Sequence, residues 1–239
     1  MNKIYLATTL TISLTMSAIA ESTPLSEELN AYKTQMRSKA PAEALETMAE
    51  GVQSIVESEL AEAAIRKGNT APEFTLTDAT GKEVTLSELY ADGPVVLTWY
   101  RGGWCPYCNI QLRAYQQILP EIEAAGAKLV ALTPELPDES LSTAEKNELK
   151  FTVLSDVGNM VAKDYGLLFE LSDELVALYK DFGIDLAKSN GPEAKSNELP
   201  LAATYIIGKD GKVAWHFVEA DYTKRAEPAT IVEELKKIQ

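Results

Sequence analysis

The sequence is poor in the residues that bind metals and form disulfide frameworks. Among its 239 residues there are two cysteines and one histidine. A structural zinc site usually takes four cysteine or histidine ligands, so this composition argues against a metal site. Two cysteines do not make a disulfide framework, and a chain of this length with 46% hydrophobic residues can build its core without one.

Positive charge and the common ligand-binding motifs are also scarce. The chain has 22 lysines and arginines against 36 acidic residues, a formal net charge of -14. Such a surface repels a phosphate backbone and an anionic membrane, so we expect no nucleic-acid and no membrane partner. The sequence contains no G-x-S-x-G, no phosphate loop, no dinucleotide-binding glycine motif and no H-E-x-x-H. It therefore predicts no bound cofactor.

The first twenty residues have the pattern of an export signal. Lys3 supplies a positive start, Ile4 to Met16 are mostly apolar, and Ala18 and Ala20 offer small residues for cleavage. This pattern predicts a signal peptide over residues 1–20 and a periplasmic or secreted protein. An uncleaved anchor and an ordinary disordered N-terminus are the alternatives.

Residues 21–67 are predicted to form a helical N-terminal extension. Apolar residues follow Pro41 at helical spacings of three and four: Leu45, Met48, Val52, Ile55 and Val56. The extension is either a helix that covers the domain or an arm that joins two copies in a homodimer. Packing on the domain is the simpler interpretation.

From residue 68 to residue 239 the pattern alternates between strands and helices. Four short apolar runs are typical of strands covered on both faces: Pro94–Tyr100, Ala127–Leu132, Phe151–Leu154 and Thr204–Ile207. A helix from about Pro106 to Ala125, ended by Gly126, separates the first two runs. An Asp-Gly hairpin turn follows the fourth run. The pattern predicts an α/β domain over residues 68–239.

The two cysteines lie in "WCPYC", between the first central strand and the helix after it. Chemistry in α/β sheets gathers at the carboxyl ends of strands, and a C-x-x-C beside a strand-helix-strand unit suggests a thioredoxin-like redox site. Pro106 suits the first helical turn, which places Cys105 at the cap, where the helix dipole favours a thiolate. Cys105 is therefore the predicted nucleophile. Cys108, three residues on, is the predicted resolving thiol.

Arg101 precedes Cys105 by four residues across a Gly102-Gly103 turn. The glycines allow the guanidinium to fold back over the sulfur, where a fixed cation stabilises a thiolate and polarises a bound O–O bond. The alternative is a solvated arginine at the end of a strand.

Three segments together resemble the peroxiredoxin-like branch of the alkyl hydroperoxide reductase and thiol-specific antioxidant family. They are "GNTAPEFTLTDATGKEVTLSEL", "VVLTWYRGGWCPYC" and "YIIGKDGKVAWHFVEADYTKRAEP". The resemblance implies a thioredoxin-like fold, a central mixed β-sheet flanked by helices, with Cys105 at the peroxidatic position. It further implies a peroxide substrate and a thioredoxin-like reductant, and it places Arg225, a second candidate cation, near the site. With Tyr100 and Trp104, which adjoin the motif, Arg225 is a predicted substrate contact.

A departure from the family pattern and the dithiol motif itself keep other functions open. Peroxiredoxins carry a proline and a hydroxyl residue seven and three positions before the reactive cysteine, where this chain has Thr98 and Gly102. "WCPYC" is also the dithiol sequence of thioredoxin and glutaredoxin relatives. A thioredoxin-dependent peroxidase that forms a Cys105–Cys108 disulfide is the first hypothesis. A thiol-disulfide oxidoreductase is the second, and a redox sensor or binding module without turnover is the third.

Overall fold

The computed structural model describes residues 23–191 and 197–238. In chain order its elements are α1 (Leu25–Arg37), α2 (Ala42–Glu57), α3 (Leu60–Ala63), β1 (Thr75–Thr77), β2 (Glu83–Thr85), α4 (Leu86–Asp92), β3 (Val95–Trp99), α5 (Pro106–Gln117), α6 (Leu119–Ala124), β4 (Lys128–Thr133), α7 (Pro137–Lys146), β5 (Thr152–Ser155), α8 (Met160–Asp164), β6 (Leu168–Glu170), α9 (Asp173–Asp181), α10 (Leu186–Asn190), β7 (Glu198–Pro200), β8 (Ala202–Ile207), β9 (Val213–Glu219) and α11 (Pro228–Lys236).

The centre of the fold is a five-stranded mixed sheet in the order β5-β4-β3-β8-β9. Strands β3, β4 and β5 are parallel, whereas β8 runs antiparallel to β3 and β9 antiparallel to β8. All four predicted strands belong to this sheet. The thioredoxin-like α/β fold predicted from the sequence is confirmed.

Both faces of the sheet are covered, and each face packs into its own core. One strand contributes to both cores because its successive side chains point to opposite faces. Val96 of β3 faces a core that includes residues of α1, α5, α6 and α11. Its neighbours Val95 and Leu97 face a second core on the other side of the sheet, which includes Leu86 and Tyr165. The long apolar runs in the sequence follow from this burial on both sides.

The N-terminal segment forms three helices rather than one continuous run. The break between α1 and α2 ends at Pro41, which directly precedes α2, and Glu59 adopts a left-handed backbone (φ 55°) between α2 and α3. Helix α1 packs on α5, and the Glu227 carboxylate accepts the backbone N–H groups of Leu25 and Ser26 at 3.0 and 2.8 Å. The helix therefore lies against the domain.

The helix predicted from Pro106 to Ala125 is two helices, α5 and α6. Pro120 lies in the first turn of α6 and has no N–H to continue the hydrogen bonds of α5, so the chain turns at Ile118. Gly126 follows with φ +70°, in the left-handed conformation predicted for it.

Several elements escaped the sequence analysis because they are too short to show a period. Strands β1 and β2, of three residues each, pair as an antiparallel hairpin, and β6 pairs with β7. The described peptide bonds are all trans, the Leu199–Pro200 bond among them. None of the helices in the described ranges is long and apolar enough to span a bilayer. The predicted signal peptide over residues 1–20 lies outside these ranges.

Candidate active site

The two cysteines lie at the start of α5, immediately after β3. Cys105 caps the helix, Pro106 is its first residue, and Cys108 follows in the first turn. The Cys105 N–H donates to the Gly102 carbonyl at 3.0 Å, and Asn109 Nδ2 donates to the Gly103 carbonyl at 2.7 Å. Both cysteines are free thiols, 2% and 0% exposed. The loop thus presents two reduced sulfurs in a largely dry environment.

The two glycines before Trp104 let other groups pack closely on the loop. Gly102 has φ +155°, and a side chain there would meet the indole of Trp104, with its Cβ only 2.2 Å from Nε1. At Gly103 an added Cβ would lie 2.0 Å from Thr143 Oγ1. The pair is therefore required by the close packing of Trp104 and α7.

Arg101 is buried and held by aromatic rings, not solvated. Its guanidinium carbon lies 5.2, 5.4 and 4.7 Å from the ring centroids of Trp104, Tyr179 and Tyr222, and Nη2 donates to the Tyr179 hydroxyl. Burial opposes its charge, but Tyr179 and the two cysteines outweigh burial and raise the pKa of Arg101. The structure therefore places a fixed positive charge beside the cysteines, as predicted.

Arg225 contacts the second cysteine directly. Its Nη2 donates to Cys108 Sγ at 3.4 Å, and its Nε donates to Gln111 Oε1 at 2.6 Å. Gln111 in turn donates to the Thr98 hydroxyl at 2.9 Å, which ties the arginine to strand β3. The Tyr222 carbonyl accepts a further hydrogen bond from Arg225 Nη1. The guanidinium is thus fixed with one of its N–H groups directed at the Cys108 sulfur.

The two thiols hydrogen-bond to each other, and their surroundings shift the two pKa values in opposite directions. Burial raises the pKa of Cys105 well above its usual value. Burial alone would raise the pKa of Cys108 too, but the hydrogen bond from Cys105 and the charges of Arg225 and Arg101 lower it to about 5. The sequence predicts the thiolate on Cys105, whereas the directions of the two pKa shifts favour charge on Cys108, which the hydrogen bond from Cys105 and then the charges of Arg225 and Arg101 stabilise.

A cavity of about 530 Å³ opens onto Cys105. Arg101 and Trp104 line it beside the sulfur, and the rest of the wall comes mainly from α1, α2 and the segment around α9: Tyr32, Gln35, Met36, Lys39, Ala40, Pro41, Met48, Pro106, Tyr107, Tyr179, Phe182, Ile184 and Tyr222. Cys108 does not line this cavity. A molecule in the cavity therefore meets Cys105 first.

Two of the residues predicted to contact the substrate are placed away from the cavity wall. Tyr100 directly follows β3 and is fully buried in the core with residues of α5, and Arg225 contacts Cys108. Neither lines the cavity. Tyr100 is packed in the core, and Arg225 lies near the site as a second cation, in contact with Cys108. Trp104 lies in the cavity wall.

Glu135 is a buried carboxylate near the site that the sequence did not reveal. It follows β4, is 2% exposed, and its Oε1 accepts the Gly103 N–H at 2.9 Å. Burial raises the pKa of Glu135 to about 7, against the Gly103 hydrogen bond, and the charge of Cys108 adds to the rise. Tyr179 and Tyr222 were also not predicted, because each lies far from the cysteines in the sequence and belongs to no recognisable motif.

A mixed sheet with a dithiol at the start of the helix after its first central strand defines a thiol redox protein of the thioredoxin-like class. Solved structures agree with this fold. The peroxidoxin BcpB of Mycobacterium tuberculosis superposes with a TM-score of 0.57 at 22% identity, over 73% of this chain and 99% of that one. The reduced 2-Cys peroxiredoxin of Plasmodium vivax gives 0.57 at 19% identity, over 73% and 82%.

Residues 67–216 match the AhpC/TSA family, and the chain belongs to that family. The chloroplastic peroxiredoxin Q of Sedum lineare is 30% identical over 176 residues, which are 74% of this chain and 78% of that protein. The chloroplastic peroxiredoxin Q of Populus jackii is 29% identical over 74% and 68%. The chain is an enzyme, a peroxidase of the peroxiredoxin type.

The comparisons also correct one prediction. Both relatives are chloroplastic proteins, and so is the peroxiredoxin Q of Gentiana triflora, 28% identical over 73% of this chain and 67% of that protein. They point away from an export signal, and the predicted periplasmic or secreted location is wrong.

Proposed function

We propose that the enzyme reduces hydrogen peroxide and organic hydroperoxides at Cys105, that Cys108 resolves the product as an intramolecular disulfide, and that an external thiol restores the dithiol. The observation that carries this proposal is the position of Cys105. It is the sulfur that lines the cavity, with the Arg101 guanidinium on one side and the hydrogen-bonded Cys108 on the other.

The first step needs a thiolate on Cys105. In the resting pair Cys105 donates its proton to the hydrogen bond with the Cys108 thiolate. Transfer of that proton along the existing bond gives a Cys105 thiolate and a Cys108 thiol. Arg101 stabilises the charge when it moves to Cys105, because its guanidinium is fixed beside both sulfurs.

The thiolate then attacks the nearer peroxide oxygen. The S–O bond forms, the O–O bond breaks, and Cys105 is oxidised to a sulfenic acid. The leaving alkoxide, or hydroxide, takes the proton from Cys108 and departs as an alcohol or water. This proton transfer leaves Cys108 as a thiolate next to the sulfenic acid.

The second step closes the disulfide. Cys108 Sγ attacks Cys105 Sγ, the S–S bond forms, and hydroxide leaves the sulfenic acid. An external thiol must then return two electrons to the pair. The family resemblance implies a thioredoxin-type dithiol, although any thiol that reaches Cys105 Sγ satisfies the same chemistry.

The test is the stoichiometry of oxidation by peroxide without a reductant. One equivalent of peroxide should consume both thiols and give one intramolecular disulfide, seen as the loss of two alkylation sites by intact mass. A thiol-disulfide oxidoreductase without peroxidase activity would retain both alkylation sites after brief exposure to peroxide, and that result would contradict the proposal.

A further inference from the structure

Both sulfurs are buried beneath the N-terminal helices. Cys105 is 2% exposed and Cys108 is fully buried. Tyr32 of α1 packs edge-on against Tyr107, between the two cysteines in sequence, with ring centroids 5.0 Å apart. Helices α1 and α2 then form one wall of the cavity over Cys105. The surface around the dithiol is therefore covered by the chain's own N-terminal segment.

The covering helix is fixed to the domain at several points. Leu25 and Leu29 of α1 are buried in the core, and its first N–H groups are bound by the Glu227 carboxylate. Lys33 donates to Thr223 Oγ1 at 3.0 Å and pairs with Asp221 at 3.5 Å. A protein thiol would have to displace this helix to bring its own sulfur in line with Cys105. A small molecule need only enter the cavity.

The cavity is suited to a small anion. Its volume of about 530 Å³ lies within the ~300–1,000 Å³ range of small-molecule sites. Lys39 and Arg101 line it, and no aspartate or glutamate does so among the residues that the structure describes. The Arg101 Nε and Trp104 Nε1 donors are buried without a hydrogen-bond partner in the described chain. The cavity lining is therefore positively charged, although the protein as a whole has a net charge of -14.

The contact between Arg225 and Cys108 favours attack at Cys105, the sulfur of the disulfide that lines the cavity. An attacking thiolate that reaches Cys105 Sγ expels Cys108, and a thiol with a lowered pKa is the better leaving group. The pKa of Cys108 is lowered to about 5. Arg225 therefore stabilises the thiolate that this attack releases.

We propose that the reductant of the Cys105–Cys108 disulfide is an anionic low-molecular-weight thiol that enters the cavity between α1, α2 and α9 and attacks Cys105 Sγ. This inference rests on the proposed peroxidase function, which supplies the disulfide. The first thiolate forms an S–S bond to Cys105 and releases Cys108 as a thiolate. A second thiolate attacks the sulfur of the first, which leaves as a small disulfide and returns the Cys105 thiolate, so two small thiols supply the two electrons.

The test measures reduction of the preformed disulfide, with no peroxide present. The probes are 3-mercaptopropionate, 2-mercaptoethanol and cysteamine, which are similar in size and are anionic, neutral and cationic outside the thiol. Each rate is divided by the rate of the same thiol with a small uncharged disulfide, which removes differences in intrinsic reactivity. We expect the anionic probe to exceed the neutral one by roughly fivefold at low salt, and the neutral one to exceed the cationic one.

A matched pair of variants tests whether the order of the three normalised rates arises from charge in the cavity. Lys39→Glu reverses the charge at the cavity wall and should remove or invert the preference for the anionic probe. Lys209→Glu makes the same change of charge at the β8–β9 turn, at the opposite end of the sheet from Cys105, and should leave the order unchanged. Equal normalised rates for the three probes would overturn the proposal.

Reduced thioredoxin, kept reduced by its reductase, is the competing reductant in the same assay. If it reduces the disulfide of the full-length protein faster than millimolar glutathione does, the proposal is wrong. Glu227→Gln, which weakens the anchor of α1, should increase the rate with thioredoxin while leaving the rate with 3-mercaptopropionate unchanged. Because the disulfide is made with a chemical oxidant, failure of this test is separate from failure of the peroxidase function.

Discussion

Arg225 Nη2 donates a hydrogen bond to Cys108 Sγ over 3.4 Å, and neither residue lines the cavity that opens onto Cys105. Cys105 donates to the same sulfur and itself lines the cavity. In the proposed mechanism, the sulfur favoured to hold the negative charge is therefore not the sulfur that lines the cavity. Cys108 would then have three successive tasks: it would take the proton of Cys105, resolve the sulfenic acid, and leave when the disulfide is reduced.

Replacing Arg225 should raise the pKa of Cys108. In Arg225→Met the nearest positive charge is lost, and we expect the pKa to rise from about 5 by about 1 to 3 units. The ultraviolet absorbance of the thiolate as a function of pH measures this. Lys224→Met is the matched control, since Lys224 pairs with Glu219 at 3.1 Å on the surface. An unchanged pKa of Cys108 in Arg225→Met would show that Arg225 does not stabilise the Cys108 thiolate.

Replacing Arg101 should slow the reaction with peroxide. Arg101→Met removes the cation that stabilises the Cys105 thiolate and the leaving oxygen, and we expect a loss of roughly 100-fold in the rate of oxidation. Arg101→Lys keeps the charge without the planar stacking on Tyr222 and should recover part of the rate. The measurement is the second-order rate constant with hydrogen peroxide. Arg113→Met, which changes an exposed arginine of α5, the helix that Cys105 caps, should have the rate of the unmodified protein.

The two cysteine-to-serine variants separate the roles of the sulfurs. Cys108→Ser retains the sulfur that lines the cavity and should still consume about one equivalent of peroxide, leaving a sulfenic acid on Cys105 that dimedone traps. Cys105→Ser should give no adduct. Mass spectrometry of the labelled proteins identifies the site. A dimedone adduct on Cys108 in the Cys105→Ser protein would reverse the proposed roles.

Glu135 should make the protein less stable as the pH rises. Its pKa is raised from 4.5 to about 7 in the folded state, so the folded protein binds this proton more tightly than the unfolded chain does. Ionisation of the buried carboxylate therefore destabilises the folded protein. This destabilisation is absent below about pH 4.5 and complete above about pH 7. The cost is on the order of 3 kcal/mol at most.

Glu135→Gln tests that cost, because the amide oxygen still accepts the Gly103 N–H while the charge is gone. The gain in the free energy of unfolding, relative to the unmodified protein, should be smallest at pH 4 and should grow up to about pH 7. Denaturant unfolding at a series of pH values measures it. A gain that does not depend on pH would show that Glu135 is ionised normally in the folded protein.

The sequence predicted the central sheet because its strands are buried on both faces. Runs such as Val95–Trp99 and Ala202–Ile207 are continuous and apolar for that reason, and the motif at Cys105 follows directly from its place after β3. The break between α5 and α6 could have been predicted from Pro120. Strands of three residues, such as β6 and β7, leave no period to detect.

The electrostatics of the site could not be predicted from the local sequence. Tyr179, Tyr222 and Arg225 come from segments 70 or more residues beyond the motif and meet it only through the fold. The helix cap favours charge on Cys105, but the hydrogen bond from Cys105 and the charges of Arg225 and Arg101 lower the pKa of Cys108. Only the three-dimensional contact decides between the two sulfurs.

The most direct test of the account is a rapid-mixing measurement of the reduced protein with micromolar hydrogen peroxide. Trp104 adjoins Cys105 and lines the same cavity, so its fluorescence should report oxidation of the sulfur, with Trp104→Phe as the control for the signal. We predict that Cys105 reacts at least about 100-fold faster than a free low-molecular-weight thiol at the same pH, because Arg101 stabilises both the thiolate and the leaving oxygen. A rate equal to that of the free thiol, with fast reaction towards a disulfide substrate, would contradict the account.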